Sequence, residues 1–300
     1  MGLGLDVGYS TALGTLYKGL AEDILPILLG QGKEKSDLIL TSPPFPLNRK
    51  KKYGNLSGDE YAEWLASFAP LMKSFLKPSG SIVIEMGNAW ESGRPVMSTL
   101  SLKALLVFQE AGHFSLCQQF ICYNPARLPS PAQWVTVERI WVKDAFTRVW
   151  WLSPTDRPKE NNENILKEYS DSMKKLLENK QYNHGKRPSE HDISATSFLK
   201  DNGGAIPPKV IIKANTSANG RYQNYCRNQN IKPHPAGMPK DLADTFIKFL
   251  TDAGDLVVDP FAGSNTTGAV AETLGRKWIS IEPKDDYAKG SFGHFSADID

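Results

Sequence analysis

The chain is 300 residues long, 40% hydrophobic and 23% charged, with a formal net charge of +2. That length accommodates one large α/β domain, or a core with a smaller lobe, at a composition ordinary for a soluble globular protein. No apolar run approaches the span of a bilayer, and Cys117, Cys122 and Cys226 are an odd set that excludes a disulfide framework.

In chain order, the opening MGLGLDVGYS has neither the basic start nor the hydrophobic run of a secretory signal. With three reduced thiols, a cytoplasmic location is expected. GTLYKG (14–19) reads as a short strand and AEDILPILLG as the helix after it. DLILT (37–41) is a continuous apolar run, the pattern of a strand buried on both faces. Tyr61, Trp64, Leu65, Phe68, Leu71, Met72 and Phe75 then recur at helical spacing until Pro78 and Gly80. SIVIEMG is another strand, followed by a helix near MSTLSLKALLVFQEAG and a strand near FSLCQQFICY. This alternation predicts an α/β fold, with a mostly parallel, doubly wound sheet covered by helices on both faces.

VWWLSPTDRP ends the regular pattern. From 154 to 235 the chain is polar, with eleven Asn and with 14 Lys/Arg against 9 Asp/Glu. This segment thus nets +5 and the remainder −3, the asymmetry of a body that meets a polyanion through one basic face. Within it, Ile165, Leu166, Tyr169, Met173, Leu176 and Leu177 form one helical stripe, which predicts a small lobe with a limited core. MPKDLADTFIKFL is the next helix, with Pro239 in its first turn. DLVVD (255–259) is a buried strand, AVAETLG a helix closed by Gly275, and RKWISIE (276–282) a final strand. The expected division is a core half over 1–153, a polar lobe over 154–235 and a second core half over 236–300.

DPFAGSNTTG joins a strand to a helix through a tight glycine turn. Gly263 and Gly268 have P-loop spacing, but Ala269 and Val270 follow where that loop needs lysine and a hydroxyl. A dinucleotide fingerprint fails as well, because Asn265 stands where the second glycine must admit a pyrophosphate. A nucleoside without phosphates fits. Glu282 ends the next strand, 23 positions after Asp259, where a carboxylate accepts both hydroxyls of a ribose.

DPFAGSNTTG resembles the methyl-donor loop of S-adenosylmethionine-dependent methyltransferases, and TSPPF (41–45) resembles the catalytic motif of the amino-methylating DNA enzymes. Catalytic motif first, polar lobe next and donor loop last is the circularly permuted order of the beta class. LPSPAQWV, RPSEHDIS, DNGGAIPP and TTGAVAE are similar to its cytosine-N4 members, and the resemblance runs from about Gly14 to Tyr287. It implies S-adenosylmethionine as methyl donor, double-stranded DNA as substrate and, as a functional partner, a cognate restriction endonuclease. The donor would be held by Asp259, Pro260, Phe261, Gly263, Ser264, Asn265, Thr266, Thr267 and Glu282. HPAGMP (234–239) resembles the segment over the donor's amino-acid end and adds His234.

An exocyclic amine on a nucleobase is a poor nucleophile, because its lone pair is delocalised into the ring. Two acceptors for its two hydrogens localise that pair, and Ser42 Oγ with the Pro43 carbonyl supplies them. Pro43 and Pro44 preorganise both by fixing φ. Phe45 offers a face on which an everted base stacks. Glu85 is a candidate acceptor for the proton shed by the methylated amine. Arg49, Lys50, Lys51 and Lys52 suit the DNA backbone, while Arg221, Gln223, Asn224 and Arg227 suit phosphates and base edges. No Cys follows Pro, which disfavours cytosine-C5 chemistry, and no metal-ligand spacing occurs among the histidines. Cytosine N4 against adenine N6 rests on the Ser before Pro-Pro. A DNA-binding relative with a vestigial donor pocket is the third reading. One departure stands out: Gly19 is followed by Leu20, where many relatives carry an acid beside the donor's adenine.

Overall fold

The computed structural model describes residues 4–44, 58–180, 184–194, 197–212 and 220–296. In the amino-terminal half, β1 (Asp6–Ser10) and β2 (Gly14–Lys18) lead into α1 (Ala21–Gly30), β3 (Ser36–Thr41), α2 (Gly58–Phe75) and β4 (Leu76–Met86). There follow α3 (Leu100–Gly112), β5 (Ser115–Tyr123) and β6 (Phe146–Ser153). The polar segment contributes α4 (Asp171–Asn179), β7 (Gly185–Lys186), β8 (Asp192–Ile193), β9 (Val210–Ile212) and α5 (Arg221–Asn228). The chain ends with α6 (Lys240–Leu250), β10 (Leu256–Asp259), α7 (Thr266–Thr273), β11 (Lys277–Glu282) and α8 (Asp285–Ser291).

Nine strands form one sheet in the order β1-β2-β11-β10-β3-β4-β6-β5-β9. The central block β2-β11-β10-β3-β4 is parallel throughout. All six residues of β3 and all four of β10 are buried, as strands covered on both faces require. One face carries α1, α2 and α3, whose Leu25, Leu28, Leu65, Phe68, Met72 and Phe108 share a core with Ile39, Ile82 and Trp150 of the strands. On the other face α6 sets Phe246 edge-on to Phe120 (5.0 Å) and Phe249 edge-on to Trp151 (5.1 Å). Neighbouring Trp150 and Trp151 thus serve opposite layers, as the pleat dictates. Among the described residues no helix is long and apolar enough to cross a membrane.

Three features depart from the sequence reading. β1 pairs antiparallel with β2 and adds an edge strand. VWWLS does not end the sheet: it forms β6, antiparallel to both β4 and β5. The helical stripe over 165–177 is broken into a 3-10 turn (Asn162–Ile165) and α4, because the Ser170 side chain accepts from Met173 N–H and starts a new helix.

The chain divides into two compact units, Met1–Glu160 with Lys209–Asp300, and Asn161–Pro208. The second is shorter than the 154–235 lobe read from composition. β9 joins the large sheet beside β5, and α5 buries Tyr222 and Cys226 within the first unit. Polarity tracks exposure, and exposed segments of the large unit are as polar as the small one. Within Asn161–Pro208 no hydrophobic side chain is buried among the described residues. Backbone bonds between Lys167 and Ala205 (2.9 Å each way) and the Asn202 N–H to Tyr169 Oη bond (2.9 Å) hold it instead.

Phe246 is fully buried against Phe120. Phe246→Ala is expected to lower the unfolding free energy by about 3–5 kcal/mol in chemical denaturation.

Candidate active site

The carboxyl ends of β2, β11, β10, β3 and β4 lie along one edge of the sheet. Strand order reverses between β10 and β3: from β10 the chain crosses to β11, from β3 to β4. A ligand crevice belongs at such a switch point. Residues that follow these two strands are the donor turn (260–265) and Ser42-Pro43-Pro44.

Asp259 joins them. Its Oδ1 accepts from Thr41 Oγ1 (2.7 Å) and from the Phe261 N–H (3.1 Å), and its Oδ2 accepts from Thr267 Oγ1 (2.7 Å). Burial pushes this carboxyl up to about 6, and the three donors pull against that rise. Ser42 follows Thr41 directly, so the same carboxylate links the Ser42-Pro43-Pro44 segment to the 260–265 turn. Ser42 and Pro44 are half-buried and Pro43 is buried. Thr41 pairs with Ile84, so Ser42 and Glu85 are each the next residue along neighbouring strands. Glu85 is buried and accepts from Thr147 Oγ1 at 2.8 Å.

The turn itself is held from below. Gly263 (φ +54°) and Asn265 (φ +54°) occupy the left-handed region, which costs a side chain at the first and is tolerated by Asn at the second. Glu282 accepts the Gly263 N–H on Oε2 and the Lys284 N–H on Oε1, both at 2.9 Å. Burial lifts the Glu282 carboxyl to about 7, and the Asp259 charge adds to the rise. Asn265 is fully buried. Its Oδ1 accepts from Gly268 N–H (3.1 Å) and Ser280 Oγ (2.6 Å), and its Nδ2 donates to Tyr9 Oη (2.9 Å). The sequence reading put Asn265 on the donor; here its side-chain amide caps α7 and ties the turn to β11 and β1. Thr267, likewise read as a donor contact, spends its hydroxyl on Asp259. Pro260 and Ser264 are buried, and Ser264 Oγ lies 3.2 Å from Thr266 Oγ1. Phe261 packs on Trp64 (5.5 Å) and Phe68 (5.2 Å) of α2, which fixes the turn from the side.

A strap over His234–Pro239 lies against this turn. A Cβ on Gly263 would stand 3.1 Å from His234 Cε1, and one on Gly237 would stand 2.7 Å from Ser264 Oγ. His234 also meets the Tyr287 ring edge-on at 4.5 Å. The structure therefore assembles Ser42, Asp259, Phe261, Gly263, Glu282 and His234 from distant parts of the sequence.

The sequence profile of the family described as DNA methylase matches residues 36–292. The chain belongs to the DNA methylase family. It is 45% identical over 297 residues to type II methyltransferase M.PvuII of Proteus hauseri, covering 98% of this chain and 87% of that protein. The solved PvuII DNA methyltransferase, titled cytosine-N4-specific, aligns at TM-score 0.77 and 36% identity, over 99% of this chain and 92% of that one. M1.HpyAVI, solved with SAM, shares the fold at TM-score 0.54 and 20% identity, over 95% and 100% of the two chains.

In this DNA methylase, Phe45, Arg49, Lys50, Lys51 and Lys52 lie outside the described residues. Arg221 and Arg227 are exposed on α5, with Gln223 and Asn224 half-buried between them, so these four stand on the large unit rather than on a separate lobe. Thr41, Tyr9, Ser280 and Trp64 shape the site without having been read from the sequence as site residues. Thr41 carried a signal: a hydroxyl at the end of a fully apolar strand needs a buried partner.

Asp259 and Glu282 carry carboxyl pKa values raised from the ordinary 3.8 and 4.5 to about 6 and about 7. A raised carboxyl contributes stability that is fully present below its unfolded value and is lost as pH rises through the folded value. Urea unfolding of the donor-free protein should therefore show a loss of stability from these groups between about pH 4 and pH 7. In Asp259→Asn the lower part of that slope should flatten; an unchanged slope would show that Asp259 does not titrate there.

Proposed function

We propose that the protein transfers a methyl group from S-adenosylmethionine to the N4 amine of a cytosine everted from double-stranded DNA. The observation that carries this reading is the Asp259 carboxylate, which bonds Thr41, next to Ser42, and the Phe261 N–H of the donor turn. The likeness to the PvuII enzyme supports cytosine N4 as the target atom.

The residues present fit the donor. Gly263 is in the left-handed region and its N–H is fixed by Glu282, so the turn backbone is preorganised. Glu282, at the end of β11, is the acceptor for the ribose hydroxyls, and those donors favour its ionised form. Leu20, the N-cap residue of α1, is 47% exposed, and the preceding Gly19 N–H donates to the Glu282 backbone oxygen (3.4 Å), so Leu20 would offer an apolar face to the donor's adenine. Phe261 and the His234 strap border the remaining sides. When bound, the donor supplies an electrophilic methyl group on a sulfonium.

Ser42 Oγ and the Pro43 carbonyl accept the two amine hydrogens and localise the nitrogen lone pair toward the methyl carbon. Pro43 and Pro44 hold those acceptors in place before the base arrives, so catalysis is chiefly positioning. Glu85, on the neighbouring strand end, takes the proton shed after transfer. Phe45 stacks on the everted base. Arg49, Lys50, Lys51, Lys52, Arg221 and Arg227 hold phosphates, and Gln223 and Asn224 reach base edges. The type II relative supports a modification role beside a restriction endonuclease that reads the same DNA sequence, in the cytoplasm.

Ser42→Ala is expected to reduce turnover by about 10²–10³-fold while calorimetry shows donor affinity unchanged; retained turnover removes Ser42 from the reaction. Digesting methylated DNA to nucleosides identifies the product. N4-methylcytosine is expected, N6-methyladenine would move the target to adenine, and no methylated nucleoside would leave a DNA-binding protein without transfer activity.

A further inference from the structure

The strap over the donor turn is pinned by a residue outside the strap. Tyr222, on the inner face of α5, is 8% exposed, and its Oη accepts the His234 backbone N–H at 2.6 Å. Its ring lies parallel to that of His294 at 5.0 Å and 8°. His294 closes the short turn that follows α8. Burial lowers the His294 imidazole to about 4, so the stack is between neutral rings. One helical turn further, Cys226 is fully buried, and a Cβ on Gly290 of α8 would stand 3.0 Å from its Sγ. Tyr225 closes equally tightly on Gly293, where an added Cβ would come within 2.5 Å. The inner face of α5 is thus seated on α8 and the turn after it, which leaves Tyr222 little freedom to follow a departing strap.

Two contacts hold this one side chain between the strap and the turn after α8. Through its hydroxyl, Tyr222 fixes the backbone of His234, whose ring stands over Gly263. Through its ring, it stacks on His294 in the turn after α8, which fixes the orientation of the phenol.

We propose that Tyr222 is a positioning residue for the methyl donor: its hydroxyl holds the His234 strap against the Gly263 turn and thereby sets donor affinity. This rests on the donor reading given above. The role separates binding from chemistry. A strap that loosens raises the concentration of donor needed, whereas a filled site still presents the same Ser42 acceptors to the amine.

Tyr222→Phe keeps the stack on His294 and removes the hydroxyl, the acceptor of the His234 N–H. Calorimetry with S-adenosylmethionine should show affinity weakened about 5- to 10-fold, the worth of one hydrogen bond to a partly buried N–H. KM for the donor should rise in parallel, with kcat at saturating donor, KM for DNA and the melting temperature of the donor-free protein close to wild type. In a His234→Ala background the same substitution should cost clearly less, because the ring that Tyr222 positions is already gone. Wild-type donor affinity in Tyr222→Phe would overturn the proposal, as would a fall in kcat without a change in KM, or costs that simply add in the double variant. Wild-type protein that binds no donor would overturn the donor reading itself, and that result is visible before any variant is made.

Discussion

A buried carboxylate organises this molecule. Asp259 is almost fully enclosed, and it tolerates that position because three donors surround it: two threonine hydroxyls and one backbone N–H. An unpaired charge there would cost several kcal/mol, so the three donors and the carboxylate require one another. What they join is separated by 218 positions in the sequence. The end of β3 and the first turn of α7 can take up their places only together.

The junction between β3 and β10 is short, with two registered pairs, Val257 with Leu38 and Val258 with Ile39. Carboxylates reinforce it at both ends in opposite senses. At the carboxyl edge Asp259 of β10 reaches Thr41, the last residue of β3. At the amino edge Asp37 of β3 accepts the N–H of Leu256, the first residue of β10 (3.1 Å), and is neutralised by Lys77 Nζ (2.8 Å). The point where strand order reverses is where a sheet has fewest crossing connections to hold it closed. A crevice there is useful to a ligand only if the two strands beneath it do not shift, and the paired carboxylates supply that rigidity.

The polar tail of the middle segment takes part in the same site. β9 extends the large sheet, and α5 presents Arg221 and Arg227 outward while Tyr222 and Cys226 face in. One short helix thus carries cations toward solvent and fastens the strap beside the donor turn. In a DNA methylase this gives the residues proposed to touch phosphate and those proposed to close over the donor a common mechanical base. The separate Asn161–Pro208 unit, held by hydrogen bonds without buried apolar side chains among its described residues, is built on different terms.

The sequence by itself determined the strands buried on both faces, the helices between them, the glycine turn and the Ser-Pro-Pro motif. Each is a local pattern of apolar spacing or of backbone restriction, and such patterns survive without knowledge of the partner. The family followed from two motifs and their order. The tertiary structure decided what local pattern cannot encode. VWWLS became β6 because two strands required an antiparallel neighbour. The stripe over 165–177 lost its helix to the Ser170 cap, since no core was present to reward a longer one. Asn265 and Thr267 were legible as polar residues of a donor loop, yet their hydrogen bonds run to Ser280, Tyr9 and Asp259. A side chain's polarity is written in the sequence, but the identity of its partner depends on which distant backbone is brought within 3 Å, and that is fixed only when the sheet closes.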